Sequence, residues 1–358
     1  MRSLKKSLVT LAVAAVLAAP AARADGSGDT TLSGLMFVDM TDVHTQKNGA
    51  DADPDGYGLD VKRFYLGVNH AFDPVWAVTL LTDFDLPKLA VSGKDSSGAT
   101  VNSTGTAAET QVFIKKAYLQ AHFDDRLTLR AGAADMPWIP FVEGFYGYRF
   151  VEKTLVDRLK FGNTVDWGVH AFGHSEDGGA NYAASVVNGG GFRNPSRSSS
   201  MDLEWRFGFA PVGGLTLAID GYRGKLGQDS DAAPAPHTAT RWVGMAAWKA
   251  SGLTLGAEYF RADNFANITN PASDRADGWS LFSSYDIDPV WSVFGRYDQA
   301  KTSKYLDPSL QDKYFNGGVA WKSSANITWA LAYKSDKLAD DVNQTKTDEF
   351  GVWAQVKF

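Results

Sequence analysis

Three features of the sequence predict an all-β chain folded as a transmembrane antiparallel β-barrel of sixteen strands. Apolar residues recur at every second position in short runs, the runs are even in number, and the connections between them alternate between short and long. Met201, Leu203, Trp205, Phe207 and Phe209 alternate with Asp202, Glu204, Arg206 and Gly208. Trp76, Val78, Leu80, Thr82 and Phe84 repeat the pattern, as do Ile327, Trp329, Leu331 and Tyr333. Strands of about ten residues, apolar on one face and polar or small on the other, are what lipid outside and water inside require.

The runs span residues 30–40, 59–72, 75–86, 111–123, 126–134, 165–174, 180–188, 200–210, 214–224, 240–249, 253–262, 277–287, 290–300, 313–322, 326–335 and 348–358. Short turns are expected at Asp73-Pro74, Asp124-Asp125, 175–179, 211–213, 250–252, Asp288-Pro289 and 323–325. Between them lie polar, Gly-rich connections of about eleven to thirty residues, including a Gly/Ser/Thr-rich second loop at 87–110. This asymmetry puts both termini on the periplasmic side. Asp-Pro-Val-Trp occurs twice, at Asp73 and Asp288, and each time places a tryptophan, Trp76 or Trp291, where an interfacial aromatic girdle belongs. The chain ends on an in-phase series, Phe350, Val352, Ala354, Val356 and Phe358, of the kind read as an assembly signal by the barrel assembly machinery.

Residues 1–24 read as a signal peptide: Arg2, Lys5 and Lys6 precede an apolar stretch at 8–19, and Ala22-Arg23-Ala24 is a small-x-small cleavage pattern. The barrel domain is then 25–358, exported to the outer membrane of a Gram-negative bacterium. Its charge is 31 − 41 = −10 once Arg2, Lys5, Lys6 and Arg23 are removed, which excludes a nucleic-acid partner. Without cysteine there is no disulfide framework and no thiolate chemistry. No apolar run later in the chain reaches the ~18 residues of a spanning helix.

Sixteen strands enclose an aqueous lumen, which points to passive diffusion of small hydrophilic solutes through a barrel embedded among outer-membrane lipids and lipopolysaccharide. The third outer loop, 135–164, is too long to be a plain connection, and its aromatic content argues against disorder. It is expected to fold into the lumen as a constriction, with Glu143, Tyr146, Tyr148, Arg149, Lys153 and Arg158 as candidate lining residues. On the expected strand phases nine basic residues (Arg63, Lys116, Arg130, Arg206, Arg241, Arg296, Lys322, Lys334, Lys357) face nine acids (Asp83, Asp85, Asp166, Asp202, Glu204, Asp220, Glu258, Asp286, Asp298) across the lumen. The lining field then has no net sign, although a local ring could still select.

Arg63-Phe-Tyr-Leu-Gly-Val68, Ala117-Tyr-Leu119, Leu127-Thr-Leu-Arg-Ala-Gly132, Pro137 with Glu143, Phe150-Val-Glu-Lys153 and Asp166-Trp-Gly-Val169 resemble the phosphate-selective porin O/P family over residues 59–173. The resemblance implies a homotrimer of sixteen-stranded barrels with an inward third loop, and lining cations at Lys62, Arg63, Lys116, Arg130 and Arg149 that pass anions such as phosphate. The balanced lining charge departs from that pattern. The aromatic third loop leaves a carbohydrate-selective porin open, and a non-conducting structural or adhesive barrel is the remaining alternative.

No enzyme is expected: neither G-x-S-x-G nor H-E-x-x-H occurs. No cofactor or metal is expected either. Asp51-Ala-Asp-Pro-Asp-Gly56 has the opening spacing of a Ca²⁺ loop, but Lys62 stands where the bidentate Glu belongs, so it reads as an acidic turn. His170 and His174 lie about 13 Å apart on a strand, too far to share one ion.

Overall fold

The computed structural model describes residues 28–85, 88–94, 100–106 and 111–358. The signal-peptide expectation for 1–24 lies outside the described residues. Sixteen strands close an antiparallel barrel: β1 (Asp29–Lys47), β2 (Ala50–Ala71), β3 (Trp76–Asp85), β6 (Gln111–Asp124), β7 (Leu127–Asp135), β8 (Val165–His174), β9 (Ala180–Val187), β10 (Asp202–Val212), β11 (Leu215–Gly224), β12 (Ala239–Ala250), β13 (Leu253–Asp263), β14 (Arg275–Asp286), β15 (Trp291–Lys301), β16 (Gln311–Lys322), β17 (Ile327–Ala339) and β18 (Gln344–Lys357). The remaining two, β4 (Lys88–Lys94) and β5 (Thr100–Thr106), form a separate two-stranded sheet within the second outer connection. Pairing of β1 with β18 closes the wall, and Gly34 and Phe358 exchange backbone hydrogen bonds of 2.6 and 3.0 Å at the seam. Closure removes the free sheet edge that lipid could not satisfy.

Alternation decides which side of the wall meets lipid. On β10, Leu203, Phe207 and Phe209 are exposed, while Asp202, Glu204 and Arg206 between them are buried. The same inversion recurs on β13 and β15, where Glu258, Arg296 and Asp298 are buried between exposed apolar residues, while β14 buries small or aromatic residues, Ala276, Ser280 and Phe282. A continuous apolar belt of this extent is stable only against hydrocarbon. Near the short-turn end, Trp291, Trp321 and Trp329 line up across three strands with ring centroids 5.8 and 6.1 Å apart. Trp291 is among the exposed residues there, and Trp76 opens β3 at the same end.

Two outer connections expected as loops are strand. Neither hairpin top shows apolar alternation, because above the bilayer both faces meet water. Asn48 and Gly49, with φ of 52° and 82°, make the two-residue turn between β1 and β2, the hairpin chemistry that an Asn-Gly pair supports. Asp51–Gly56, read above as an acidic turn, therefore lies in β2, where Asp55 accepts a 2.8 Å hydrogen bond from His44. At the other end of the chain, Asp340 Oδ1 accepts the N–H groups of Val342 and Asn343 at 2.7 and 2.6 Å, turning β17 into β18 within four residues.

Candidate functional site

The third outer connection, 136–164, carries two helices, α1 (Ile139–Tyr146) and α2 (Leu155–Arg158). Pro140 sits in the first turn of α1, where its missing N–H costs nothing, and Gly147 at φ 78° ends the helix in the left-handed region. Ile139, Val142 and Tyr146 form the buried stripe.

What this segment touches locates it. The Trp138 backbone N–H donates to Glu204 on β10 (3.0 Å), and its indole Nε1 donates to Glu258 on β13 (2.7 Å). Arg241 on β12 donates to the Phe161 carbonyl (2.7 Å), and Arg296 on β15 to the Lys153 carbonyl. Tyr146 packs edge-on against Phe282 of β14, Tyr148 stacks on Phe294 of β15 at 4.0 Å, and Phe150 meets Phe37 of β1. Contacts to the inward faces of strands so far apart around the circumference require a segment inside the closed wall.

The anchoring is ionic as well as apolar. Arg158 is almost wholly buried and pairs with Asp298 (3.3 Å), Asp312 (2.5 Å) and Asp336 (3.2 Å), with its guanidinium over the Tyr314 ring. Glu152 pairs with Lys334 at 3.1 Å. Burial alone would raise the Glu152 pKa, but Lys334 and the Lys153 N–H outweigh it and hold the carboxyl at about 2. Tyr146 and Tyr148 are spent on the wall: the Tyr146 hydroxyl accepts from Asn316 at 2.7 Å, and the Tyr148 hydroxyl bonds Ser292 at 3.0 Å. Tyr146, Tyr148 and Arg158, expected to line the passage, are thus buried in the dock.

Space remains on the other side. Between α1 and the wall of β18, β1, β2, β3, β6 and β7 lies a cavity of about 590 Å³. Its charged lining is Lys115, Lys116, Arg149 and Lys357 against Asp135 and Glu143, four cations to two carboxylates. Arg149 pairs with Glu143 (2.5 Å) and Asp157 (3.3 Å). Burial pushes the Glu143 carboxyl up against the pull of Arg149, and burial lowers the Lys153 amine, whose nearest carboxylate is Asp157 at 3.8 Å.

Two β-bulges set the wall charges here. The β1–β2 register slips at Phe37/Val38, which leaves Lys62 as the extra residue beside Arg63. Lys62 reaches Asp39 at 3.3 Å and Asp60 at 3.0 Å, and Arg63 reaches Asp83 at 3.3 Å. The β3–β6 register slips at Leu81/Thr82, which leaves Lys115 as the extra residue beside Lys116. Both lysines consequently line the cavity. Strict period-two phasing assigns Lys116 inward and Lys115 outward, so the sequence reading missed Lys115; nothing local in the sequence marks the bulge. Lys116 is neutralised by Asp135 at 2.6 Å, whereas Lys115 donates to the Tyr65 hydroxyl at 2.5 Å and forms no carboxylate ion pair among the described residues.

Elsewhere much of the wall charge cancels in pairs. Arg241 binds Glu204 and Asp220 (3.1 and 2.9 Å), Arg296 binds Asp298 (2.5 Å), and Lys334 binds Glu349 (2.7 Å). Arg130 stands apart from this cavity, between the rings of Tyr118 and Phe172.

The closed sixteen-stranded wall matches solved structures over more than nine-tenths of the chain. This is the fold of the outer-membrane porins. The chain is similar to the anion-selective porin from Comamonas acidovorans (TM-score 0.61, 11% identity, 93% of this chain and 100% of that chain). It is similar to the outer membrane channel DcaP of Acinetobacter baumannii (TM-score 0.62, 14% identity, 94% and 99%). It also matches the trimer form of OmpT, an outer membrane protein of Vibrio cholerae (TM-score 0.56, 13% identity, 92% and 99%). No family model and no curated protein matches the chain, so the resemblance to the phosphate-selective O/P porins has no counterpart among these comparisons.

Proposed function

We propose that this barrel is a passive outer-membrane channel for small hydrophilic solutes, narrowed by the third loop and biased toward anions at the cavity beside α1. The observation that carries the bias is Lys115, a cation on the cavity wall with no carboxylate ion pair among the described residues, within a lining of four cations and two acids. Where much of the wall charge cancels in pairs, the residual charge at the narrowest point sets the sign of the field met by a permeating ion. Phosphate belongs to the solutes this lining admits, in keeping with the family resemblance. A sugar channel is less well supported, because Trp138, Tyr146, Tyr148, Phe150 and Phe161 are consumed in docking the loop. The outer-membrane location follows from the apolar belt, and a homotrimer accords with the trimer form among the structural neighbours.

The test is conductance and reversal potential of the refolded protein in a planar bilayer under a KCl gradient, repeated with phosphate. Discrete channels that favour chloride are expected. Channels that favour potassium would overturn the anion bias, and a folded barrel without conductance would point instead to a structural or adhesive role.

A further inference from the structure

A second cavity of about 490 Å³ opens inside the wall toward the short-turn end, bordered by residues of β6, β7, β8, β9 and β10 and by Phe141 of α1. Two guanidinium groups, Arg206 and Arg130, face it. Arg206 is largely buried, yet it is held by neutral acceptors only: its Nε donates to the Pro137 carbonyl at 3.0 Å and its Nη1 to the Asn181 side chain. No carboxylate forms an ion pair with it among the described residues, unlike Arg158, Arg241 and Arg296 in the same lumen. Asp220, opposite Arg206 across β10 and β11, and Glu204 are nearby carboxylates, but both form their ion pairs with Arg241. The buried guanidinium that borders the cavity therefore has no ion-pair contact of its own and marks a place for one. Arg130 donates to Gln120 at 2.9 Å and touches Asp135 only at 3.7 Å, and that carboxylate is already held by Lys116 at 2.6 Å. Among the described residues the only acid on the cavity lining is Asp125, in the turn at its rim.

The rest of the lining is aromatic. Arg206 lies 3.9 Å from the Phe141 ring centroid, Arg130 lies 4.6 Å from that of Phe172, and Tyr182 also borders the space. A guanidinium packed against a ring still presents its N–H edges in plane, and with Nε and Nη1 of Arg206 donating to Pro137 and Asn181, its Nη2 group is left to bind a carboxylate oxygen. The ring edges beside it offer apolar surface that a bare phosphate would leave uncovered.

We infer that this cavity is a binding subsite for small aromatic carboxylates, with the carboxylate on Arg206 and Arg130 and the ring against Phe141 and Phe172. The inference deepens the channel reading by naming a solute class that pauses during permeation, and its test does not require conduction. Its volume lies within the range of about 300–1,000 Å³ usual for small-molecule pockets.

The experiment is calorimetric titration of sodium benzoate into the detergent-folded barrel, with inorganic phosphate and benzyl alcohol as comparators. Saturable benzoate binding is expected, weakened about tenfold or more in Arg206→Gln, since a charge-assisted bond is lost. Phe141→Leu keeps the guanidinium and removes the ring, and is expected to weaken benzoate several-fold while leaving phosphate unchanged. If Arg206→Gln fails to fold, Arg130→Gln and Phe141→Leu decide the matter. Absence of saturable benzoate binding, equal binding by the folded variants, or phosphate binding as tight as benzoate would each overturn the assignment. Benzoate binding to a barrel that conducts no ions would uphold the subsite while sinking the channel reading.

Discussion

Replacing Lys115 by Met tests the charge at the constriction with little disturbance of the fold. Met has nearly the same length, and the structure shows no ion pair to strand among the described residues: the loss is one charge-assisted hydrogen bond to the Tyr65 hydroxyl and the contact with its ring, about 2 kcal/mol. The effect on a permeating ion can be worked out. At about 5 Å in a water-like medium one charge is worth about 0.8 kcal/mol, and screening at 0.1 M salt, with a Debye length of about 10 Å, reduces this to about 0.5 kcal/mol. That changes the local anion concentration by about twofold, and the cation concentration by the same factor in the opposite sense. The chloride-to-potassium permeability ratio therefore falls about fivefold in Lys115→Met. Reversal potentials under a KCl gradient near 0.1 M measure it directly, and the effect shrinks as salt is raised toward 1 M, where the Debye length is about 3 Å. A ratio unchanged at low salt would refute the argument, because it would mean that ions do not pass the cavity Lys115 lines.

Three further outcomes follow from the loop and its dock. Arg158→Ala strands Asp312 and Asp336, leaving Asp298 to Arg296, and is expected to weaken docking by about 3–5 kcal/mol, read as a lower unfolding temperature and faster tryptic cleavage within 136–164; unchanged values of both would contradict the role assigned to this cluster. Deleting 145–153 removes the part of the loop that carries Tyr146, Tyr148 and Arg149, and single-channel conductance should rise; an unchanged conductance would retire the constriction. Because burial raises the Glu143 pKa above its ordinary 4.5, the carboxylate is lost as pH falls through that raised value, and the lining becomes more positive. The chloride preference of the parent should therefore increase on acidification toward pH 4.5. Glu143→Gln should start higher at neutral pH and rise less, and parallel pH profiles for the two proteins would exclude Glu143 as the titrating group.

The wall was legible in the sequence because a bilayer imposes a local rule. Each residue of a spanning strand faces either lipid or lumen, so Leu203, Phe207 and Phe209 must alternate with Glu204 and Arg206 whatever the rest of the chain does. Sixteen such runs, the short turns between them and the terminal strand to Phe358 could all be read from nearest neighbours. Above the bilayer the rule lapses. There β1, β2, β17 and β18 continue with water on both faces, and Asn48-Gly49 was the one local signal of the first hairpin.

The site was decided by contacts between residues far apart in the chain. Loop 136–164 was recognisable as unusual, but whether a given side chain docks or lines the passage depends on which wall residue it meets. Tyr148 meets Phe294 and is buried, while Arg149, its neighbour, faces the cavity. Charge behaves the same way. The strand phases supply balanced lining signs, and only the tertiary pairing of Arg241 with Asp220 and of Arg158 with three aspartates leaves Lys115 and Arg206 without carboxylate ion pairs among the described residues. The physical reason is range: periodicity is dictated residue by residue by the solvent on either side, whereas a net field is a small remainder after pairings across the barrel, fixed only once the wall has closed and the loop has folded in.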